Sequence, residues 1–456
     1  LSCAHIRVIR LFVSFVIFFG FISGTHSKRG GNMEVREIRF ACAMLLLSLF
    51  SINIVYAQKL LIPMDKAQND HLKAYGLVYW CLQPPRQHRV EWLLNYRGGS
   101  FMAEDQAEIR QKASLMGVSV QPVSPADAEA IYQTIDSNNM DVVLLEKAPR
   151  IVIYTPPDKE PWDDAVTLAL TYAEIPYDTL WDEGVLAGRL MEYDWLHCHH
   201  EDFTGQYGKF YATYRNEAWY QKQVASFEAA AKAAGYKSVQ EHKAAVARAI
   251  KDYVLQGGFF FMMCTPDTID IALAAEGIDI VPPEIDGTPI DPDCQSKLDF
   301  SKTFAFENFV LETRADVYEF SNIDNPKPSL NPADGTEDFT LFEFAAKYDP
   351  IPTMLTQNHV SKVKGFLGQT TSFNRSTIKN TITIMGDIEG SNYVKYIHGS
   401  CGRGTFTFFG GHDPEDYSHR VGDPPTNLEL HKNSPGYRLI LNNILFPAAK
   451  KQKRKT

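Results

Sequence analysis

The feature that most constrains the fold is the regular alternation of strand-like and helix-like runs between residues 150 and 276. Short apolar runs, RIVIYTP (150–156), YDWLHCHH (193–200) and GFFFMMC (258–264), are separated by longer stretches with apolar residues at helical spacing. Pro161 and the acids that follow it mark the start of one such helix. This order predicts an α/β fold with a doubly wound, mostly parallel sheet, whose strand ends meet along one edge.

Regions on either side of this stretch complete the predicted domain organisation. Residues 58–148 show the same alternation and are interpreted as an additional N-terminal α/β part built from βαβ units. Residues 149–447 form the predicted main domain, in which Pro, Asp and Asn concentrate over about 282–356 and indicate a loop-rich insertion. The sequence becomes β-rich after residue 357. Residues 448–456 form a basic tail, which we interpret as a solvated end.

The first 57 residues are interpreted as an upstream extension and a signal peptide. From Met33 the sequence has a short segment with two arginines, the apolar run ACAMLLLSLFSINIV and a small-x-small cleavage site at 55–57. We therefore expect cleavage near Ala57 and an exported protein of the periplasm or cell envelope. Residues 1–32 either result from a gene start placed too far upstream or form a membrane anchor. We expect no stable transmembrane span in the mature chain.

Composition and charge exclude several classes of protein. The 456 residues are 45% hydrophobic and 22% charged, which is typical of a globular protein with room for two cores and not of a disordered chain. A net charge of -10 gives no positive field that would attract nucleic acid. The cysteines after residue 57 have wide, irregular spacing, so no disulfide scaffold is predicted, although one bridge is left open.

Cys264 lies between an apolar run and the amphipathic sequence TPDTIDIALAAEG. A strand-turn-helix of this kind presents the side chain at the carboxyl end of the sheet, and the helix N–H groups lower the pKa of a thiol and stabilise a nearby oxyanion. These features predict a catalytic nucleophile. The alternative is a buried core cysteine beside Met262 and Met263.

A later strand-like run, GTFTFFGGHDPED (404–416), ends in a histidine and several acids. If this strand joins the same sheet, an imidazole and a carboxylate reach the same edge as Cys264, as nucleophilic thiol catalysis requires. We therefore expect His412 to carry the proton and Glu415 or Asp416 to orient its ring. The alternative is a polar turn that only ends the strand.

The sequence LHCHHED (196–202) offers either a metal site or the rim of a substrate pocket. Side chains alternate along a strand, so His197 and His199 share one face and can supply two metal ligands. We favour the rim and expect no cofactor, although a divalent metal bound by His197 and His199 stays open, with a third ligand from His200, Glu201, Asp202 or a distant residue such as His359. The predicted substrate-binding residues are His197, His199, His200, Glu201, Asp202, Gln206 and, from the glycine-rich turn at 97–100, Arg97.

The strand order, the cysteine elbow and the later strand with its His-Asp-Pro-Glu sequence together resemble the class I glutamine amidotransferase-like (flavodoxin-like) fold over residues 150–447. The resemblance implies a Cys-His-Glu triad at Cys264, His412 and Glu415. This sequence departs from the family pattern in two respects. Met263 and Thr265 replace the glycines beside the cysteine, and one extra residue separates the histidine from the glutamate.

The stretches LLIPMDKAQNDHLKAYG, EWLLNYRGGSF, PWDDAVTLAL and HHEDFTGQYGKF resemble a family of exported Bacteroidota proteins labelled asparagine synthetase B. True ATP-dependent asparagine synthetases need a cysteine at the mature N-terminus and an SGGxDS-type loop, and neither is predicted here. We therefore expect a Cys-dependent amide hydrolase or amidotransferase-related enzyme that acts on a small-molecule amide. The alternatives are a non-catalytic scaffold that binds an envelope component, and a metal-dependent hydrolase.

Overall fold

The computed structural model describes residues 58–157, 163–326, 335, 337–417 and 420–450. The predicted extension and signal peptide lie outside the described residues, as does the basic tail from residue 451. The described residues belong to one compact unit. None of the helices in these ranges is long and apolar enough to cross a membrane. The described cysteines are free thiols, so the disulfide left open by the sequence does not form among them.

The first sheet is built from residues 59–145 and is antiparallel throughout. Its strands are β1 (Lys59–Ile62), β2 (Val90–Leu94), β3 (Ser100–Glu104), β4 (Gln121–Val123) and β5 (Asp141–Leu145), in the order β4-β1-β3-β2-β5. Helices α1 (His71–Leu82), α2 (Ala107–Met116) and α3 (Pro125–Ser137) connect them. The βαβ units predicted for this part are therefore wrong. The turn at 95–99 between β2 and β3 is too short for a crossover, so these strands pair as a hairpin.

The second sheet is mixed. Its strands are β6 (Ile151–Tyr154), β7 (Asp178–Leu180), β8 (Trp195–Cys198), β9 (Phe259–Met263), β10 (Phe339–Leu341), β11 (Lys362–Val363), β12 (Phe373–Asn374), β13 (Thr383–Asp387), β14 (Tyr393–Cys401) and β15 (Gly404–Phe409). The order is β11-β10-β13-β14-β15-β9-β8-β6-β7, and β12 pairs with β14. The neighbours from β15 to β7 are parallel, and all other pairs are antiparallel.

The prediction of a doubly wound, mostly parallel flavodoxin-like sheet is therefore wrong. The ten-stranded sheet is antiparallel over about half its width, and the five-stranded sheet is antiparallel throughout. The physical reason lies in the connections. β14 and β15 are separated only by Gly402 and Arg403, with Cys401 paired to Gly404. A link of two residues allows a hairpin, whereas a parallel pair needs a crossover of a dozen residues or more.

Helices follow most of the parallel strands. They are α4 (Ala165–Tyr172), α5 (Asp182–Leu186), α6 (Tyr211–Tyr214), α7 (Ala218–Ala233), α8 (Val239–Leu255), α9 (Pro266–Ala274), α10 (Pro283–Asp286), α11 (Cys294–Lys297), α12 (Pro350–Leu355) and α13 (Pro435–Leu445). The carboxylate of Asp164 caps α4 by accepting from the N–H groups of Val166 and Thr167. Pro266 opens α9 directly after the turn that contains Cys264.

Two cores cover the two faces of the ten-stranded sheet. On β6, Ile151 and Ile153 enter the first core together with α1, α4, α13 and one face of the five-stranded sheet. Val152 and Tyr154 enter the second core with α8 and α9. This alternation follows from the two-residue period of a strand. It leaves the strand ends, and not the faces, as the place where polar side chains collect.

Candidate functional site

Three parallel strands bring the predicted site segments to one edge of the ten-stranded sheet. Cys198 at the end of β8 is in register with Met262 of β9, and Met263 is in register with Phe409 of β15. The residues that follow these strands therefore come together, because parallel strands end at the same edge. His200, Cys264 and His412 line one cavity at this edge, with a volume of about 580 Å³.

Three histidines form a chain of ring contacts beside the cavity. The Nδ1–H of His197 donates to the carbonyl oxygen of Phe261 at 3.0 Å, and its Nε2 faces His199. Nε2 of His197 is 3.3 Å from Nδ1 of His199, and Nε2 of His199 is 3.0 Å from Nδ1 of His412. His197 and His199 are almost fully buried, so their contacts are made in a medium of low dielectric constant.

Asp164 lies against the buried pair of histidines. Its nearest carboxylate oxygens are 3.6 Å from Nε2 of His197 and 3.7 Å from Nδ1 of His199. Burial raises the pKa of Asp164, but the charges of His199 and His197 outweigh burial and hold it below its usual value. Asp164 thus both caps α4 and faces the histidine chain.

Two sets of side chains in the described part of the chain have the composition and spacing of metal ligands. The first is His199, His200 and His412, and the second is Asp164, His197 and His199. In each set, one ligand atom from every residue lies within 4.8 Å of the others. His199 belongs to both. The sequence predicted His197 and His199 as conditional ligands, with His200 as one possible third ligand, and did not include His412 or Asp164.

The cavity wall beyond the histidines is aromatic and acidic. Phe210, Tyr214 and Tyr318 form one side, with ring centroids 5.7 Å apart for the first pair and 6.0 Å for Phe210 and Tyr318. Asp163 lies on the wall with one buried carboxylate oxygen, Oδ2, that accepts no hydrogen bond from the described residues. Burial raises the pKa of Asp163 to about 6, and the charge of Asp413 adds to the rise.

Cys264 lies on the same cavity wall in a left-handed backbone conformation, with φ of 66°. Such a conformation in a residue other than glycine is uncommon and marks a sharp turn between strand and helix. Its Sγ accepts from the N–H of Gln369 at 3.4 Å. Burial raises the pKa of the thiol to about 12, so the helix N-terminus does not produce the low pKa that the sequence suggested.

The third member of the predicted triad lies elsewhere. The carboxylate of Glu415 accepts from the Tyr417 hydroxyl at 2.9 Å and lies 3.0 Å from Nδ1 of His431. The structure therefore brings Cys264 and His412 to one cavity and places Glu415 on His431. Asp416, the alternative acid, lines the cavity.

The remaining predicted binding residues divide between the cavity and the scaffold. His200 lines the cavity, whereas Arg97 pairs with Asp65 beside the five-stranded sheet, with Nε 2.6 Å from its carboxylate. Asp202 accepts from the N–H groups of Thr204, Gln206 and Gly208 and so shapes its own loop. The backbone carbonyl of Glu201 accepts from the hydroxyls of Thr265 and Thr268. Gln206 is buried and bonds to Thr204 within the same loop.

Sequence reasoning missed several cavity residues. Asp163, and its neighbour Asp164 beside the histidines, were interpreted only as acids at a helix start. Of the other cavity residues, Tyr318, Asp324 and Gln369 were not singled out. The signal for the aspartates was available, because two adjacent carboxylates follow a strand that ends at the same edge. No signal marked Tyr318 or Gln369, since both lie on irregular segments.

No protein-family model matches the chain, and no curated protein matches it. Among solved structures, the chain is similar to cytoplasmic protein STM3548 from Salmonella typhimurium, with a TM-score of 0.33, 12% identity, and coverage of 66% of this chain and 100% of that one. Cytoplasmic protein STM1381 from Salmonella typhimurium LT2 gives a TM-score of 0.31 at 14% identity, with coverage of 66% and 100%. Likenesses at these scores carry no functional information.

Proposed function

We propose that this protein is a metal-dependent hydrolase that holds a divalent ion on His199, His200 and His412 at the cavity wall. The observation that carries the proposal is that each of the three imidazoles offers a nitrogen within 4.8 Å of the other two. His200 and His412 also line the cavity, so an ion bound there faces the space for substrate. Three protein ligands with one position left for water are typical of catalytic zinc.

The spacing of the ring nitrogens supports an ion. Two nitrogens bound to a tetrahedral zinc, each at about 2.0–2.1 Å, lie roughly 3.3–3.4 Å apart. Nε2 of His199 and Nδ1 of His412 are 3.0 Å apart, with one proton shared between them. A separation only a few tenths of an ångström larger accommodates a metal ion in place of that proton.

The charge around the histidines also favours a cation. Asp163, Asp164, Asp413 and Asp416 lie close enough together for their charges to raise the pKa of Asp163. A divalent ion relieves this repulsion, because opposite charge stabilises ionised carboxylates. The same acids disfavour a strongly anionic substrate.

The arrangement supports hydrolysis through a metal-bound water. A zinc ion held by His199, His200 and His412 would lower the pKa of a bound water to about 7 and would polarise a substrate carbonyl. Asp163 lies on the same wall and has a carboxylate oxygen, Oδ2, that accepts no hydrogen bond from the described residues, so it would be placed to act as the general base.

Metal content of two matched variants tests the proposal. We expect purified protein, exposed to a slight excess of zinc and then desalted, to retain the cavity ion, and His412→Gln to lose it. His431→Gln is the control, because His431 lies on Glu415 and not on the cavity. Mass spectrometry of the metals gives the ion-to-protein ratio. Equal ratios in the two variants, or no retained ion in the unmodified chain, would contradict the proposal.

A Cys264-dependent amide hydrolase is the second candidate, favoured by the left-handed φ of 66° at a thiol on the cavity wall. Its raised pKa of about 12 means that the thiol needs a base to act. Iodoacetamide labelling separates the two candidates. Preferential labelling of Cys264 that disappears in His412→Gln supports the thiol enzyme, whereas unreactive Cys264 in metal-free protein excludes it.

A further inference from the structure

His199 lies between two sets of ligand atoms that face opposite nitrogens of its ring. Nε2 faces His412 at 3.0 Å on the cavity side. Nδ1 faces His197 at 3.3 Å and Asp164 at 3.7 Å on the inner side. The other carboxylate oxygen of Asp164, Oδ2, is 3.6 Å from Nε2 of His197. The three inner side chains therefore form a triangle that shares only His199 with the cavity set.

The size of this triangle fits one metal ion. Three atoms bound to an ion at about 2.0–2.1 Å lie roughly 3.3–3.6 Å apart, depending on whether the ion sits above the plane or in it. Nε2 of His197 is 3.3 Å from Nδ1 of His199 and 3.6 Å from Oδ2 of Asp164, and Nδ1 of His199 is 3.7 Å from the other oxygen, Oδ1. One ligand atom from each of the three residues lies within 4.8 Å of the other two, so a small rotation of the carboxylate would bring one oxygen to both nitrogens.

The inner ligands are already oriented by outer hydrogen bonds. The Nδ1–H of His197 donates to the carbonyl oxygen of Phe261, so the lone pair of the neutral ring lies on Nε2, which faces His199 and Asp164. Oδ1 of Asp164 accepts from the N–H groups of Val166 and Thr167, and this holds the carboxylate at the start of α4. Metal-binding histidines and carboxylates are typically fixed by such outer contacts.

We propose that Asp164, His197 and His199 bind a second divalent ion, and that the ring of His199 bridges it to the cavity ion as an imidazolate. The bridge rests on the proposed function, since it needs the cavity ion. One neutral His199 and two divalent ions give the bridged pair and one proton, which is released to solvent. Imidazole nitrogens with one carboxylate oxygen suit zinc or copper.

The inner ion has a supporting role. The side chain of His197 is 0% exposed and that of Asp164 is 16% exposed, so substrate does not reach the inner ion. A bridge of one imidazole places the ions about 6 Å apart, since each metal–nitrogen bond is about 2.0–2.1 Å. The inner ion therefore fixes the ring plane of His199 and so positions the cavity ion.

The metal-to-protein ratio gives the first test. We expect two ions per chain after zinc loading and desalting, and one ion per chain in His197→Gln, which keeps the cavity set. His431→Gln should still hold two. One ion in the unmodified chain that is lost in His412→Gln and kept in His197→Gln overturns the second site and leaves the proposed function standing. No ion in the unmodified chain overturns both.

Copper loading tests the bridge itself, and its main measurement is made on the unmodified chain. Two Cu²⁺ ions joined by an imidazolate couple their spins, so the integrated electron paramagnetic resonance signal should fall far below the bound copper at low temperature. His197→Gln should restore a signal equal to its remaining copper, with circular dichroism as the check on folding. A signal equal to two uncoupled ions in the unmodified chain overturns the bridge.

Discussion

At the scale of single residues, Asp163 and Asp164 show how adjacent carboxylates acquire different tasks. Asp164 is held by two backbone N–H groups and faces His197 and His199. Asp163 faces the cavity, and its Oδ2 is buried without a hydrogen bond from the described residues. The sequence located both at a helix start but did not reveal their opposite orientations, which depend on where α4 meets the ends of β8 and β15.

Asp163→Asn should reduce hydrolysis without removing the metal. The amide cannot accept a proton as a general base does, and such groups contribute about 10²–10⁴-fold to rates. The measurement is hydrolysis of 4-nitrophenyl acetate by the zinc-loaded protein, together with its metal content. Asp423→Asn is the control, because Asp423 also lines the cavity but lies beside Arg420. Similar rates in the two variants would argue against Asp163 as the base.

At the scale of elements, the strands that carry the site were predictable, and the direction of their neighbours was not. The runs at 193–200, 258–264 and 404–411 contain β8, β9 and β15, whose residues are largely buried on both faces, as their continuous apolar sequence indicates. Strand direction depends on the connections. The five-residue turn at 95–99 and the two-residue turn at 402–403 each make a hairpin. The first turn was interpreted as part of a βαβ unit, and the second lies in the part that was predicted only to be β-rich.

The β2–β3 hairpin gives a prediction for stability. An alanine Cβ at Gly98 would lie 2.5 Å from the carbonyl oxygen of Met64, whereas at Gly117 nothing lies within 4 Å, and both glycines have positive φ, of 77° and 72°. Gly117→Ala should therefore lose only about 1–2 kcal/mol from left-handed strain. Gly98→Ala should lose about 1–3 kcal/mol more, because backbone must move. Urea unfolding measures the difference, and equal losses would contradict the packing.

At the scale of the whole molecule, a buried arginine ties the region of the five-stranded sheet to α13. The guanidinium of Arg438 donates to the carbonyl oxygens of Met64 at 3.0 Å and Gly98 at 2.7 Å, and to Nδ1 of His359 at 3.0 Å. His359 stacks on His71 with ring centroids 4.4 Å apart. No pattern in the sequence indicates this group, because Arg438 lies 79 residues from His359 and 374 residues from Met64.

This histidine pair predicts a specific dependence of stability on pH. Burial, helped by the charge of Arg438, lowers the pKa of His71 to about 4 from its ordinary 6.5. The unfolded chain therefore takes up this proton first, and the stability from neutral His71 is lost as the pH falls from 6.5 to 4. The unfolding free energy of the unmodified chain minus that of His71→Gln should fall by on the order of 2 kcal/mol between pH 6.5 and pH 4. Unfolding free energies of both proteins at each pH measure it, and a constant difference would contradict it.

The cavity also forms only at the scale of the whole molecule. His200 and His412 follow β8 and β15, Asp163 precedes α4, and Tyr318 comes from an irregular segment far along the chain. The sequence identified His197, His199, His200 and His412 as candidates because each follows or ends a strand. It did not show that three of their rings converge, since this depends on the parallel order of β8, β9 and β15.

X-ray diffraction from crystals of the zinc-loaded protein, recorded at the zinc absorption edge, tests the metal centre most directly. We expect an anomalous peak at about 2.0–2.1 Å from one nitrogen each of His199, His200 and His412. A zinc-loaded crystal with no peak between these three rings would contradict the metal centre.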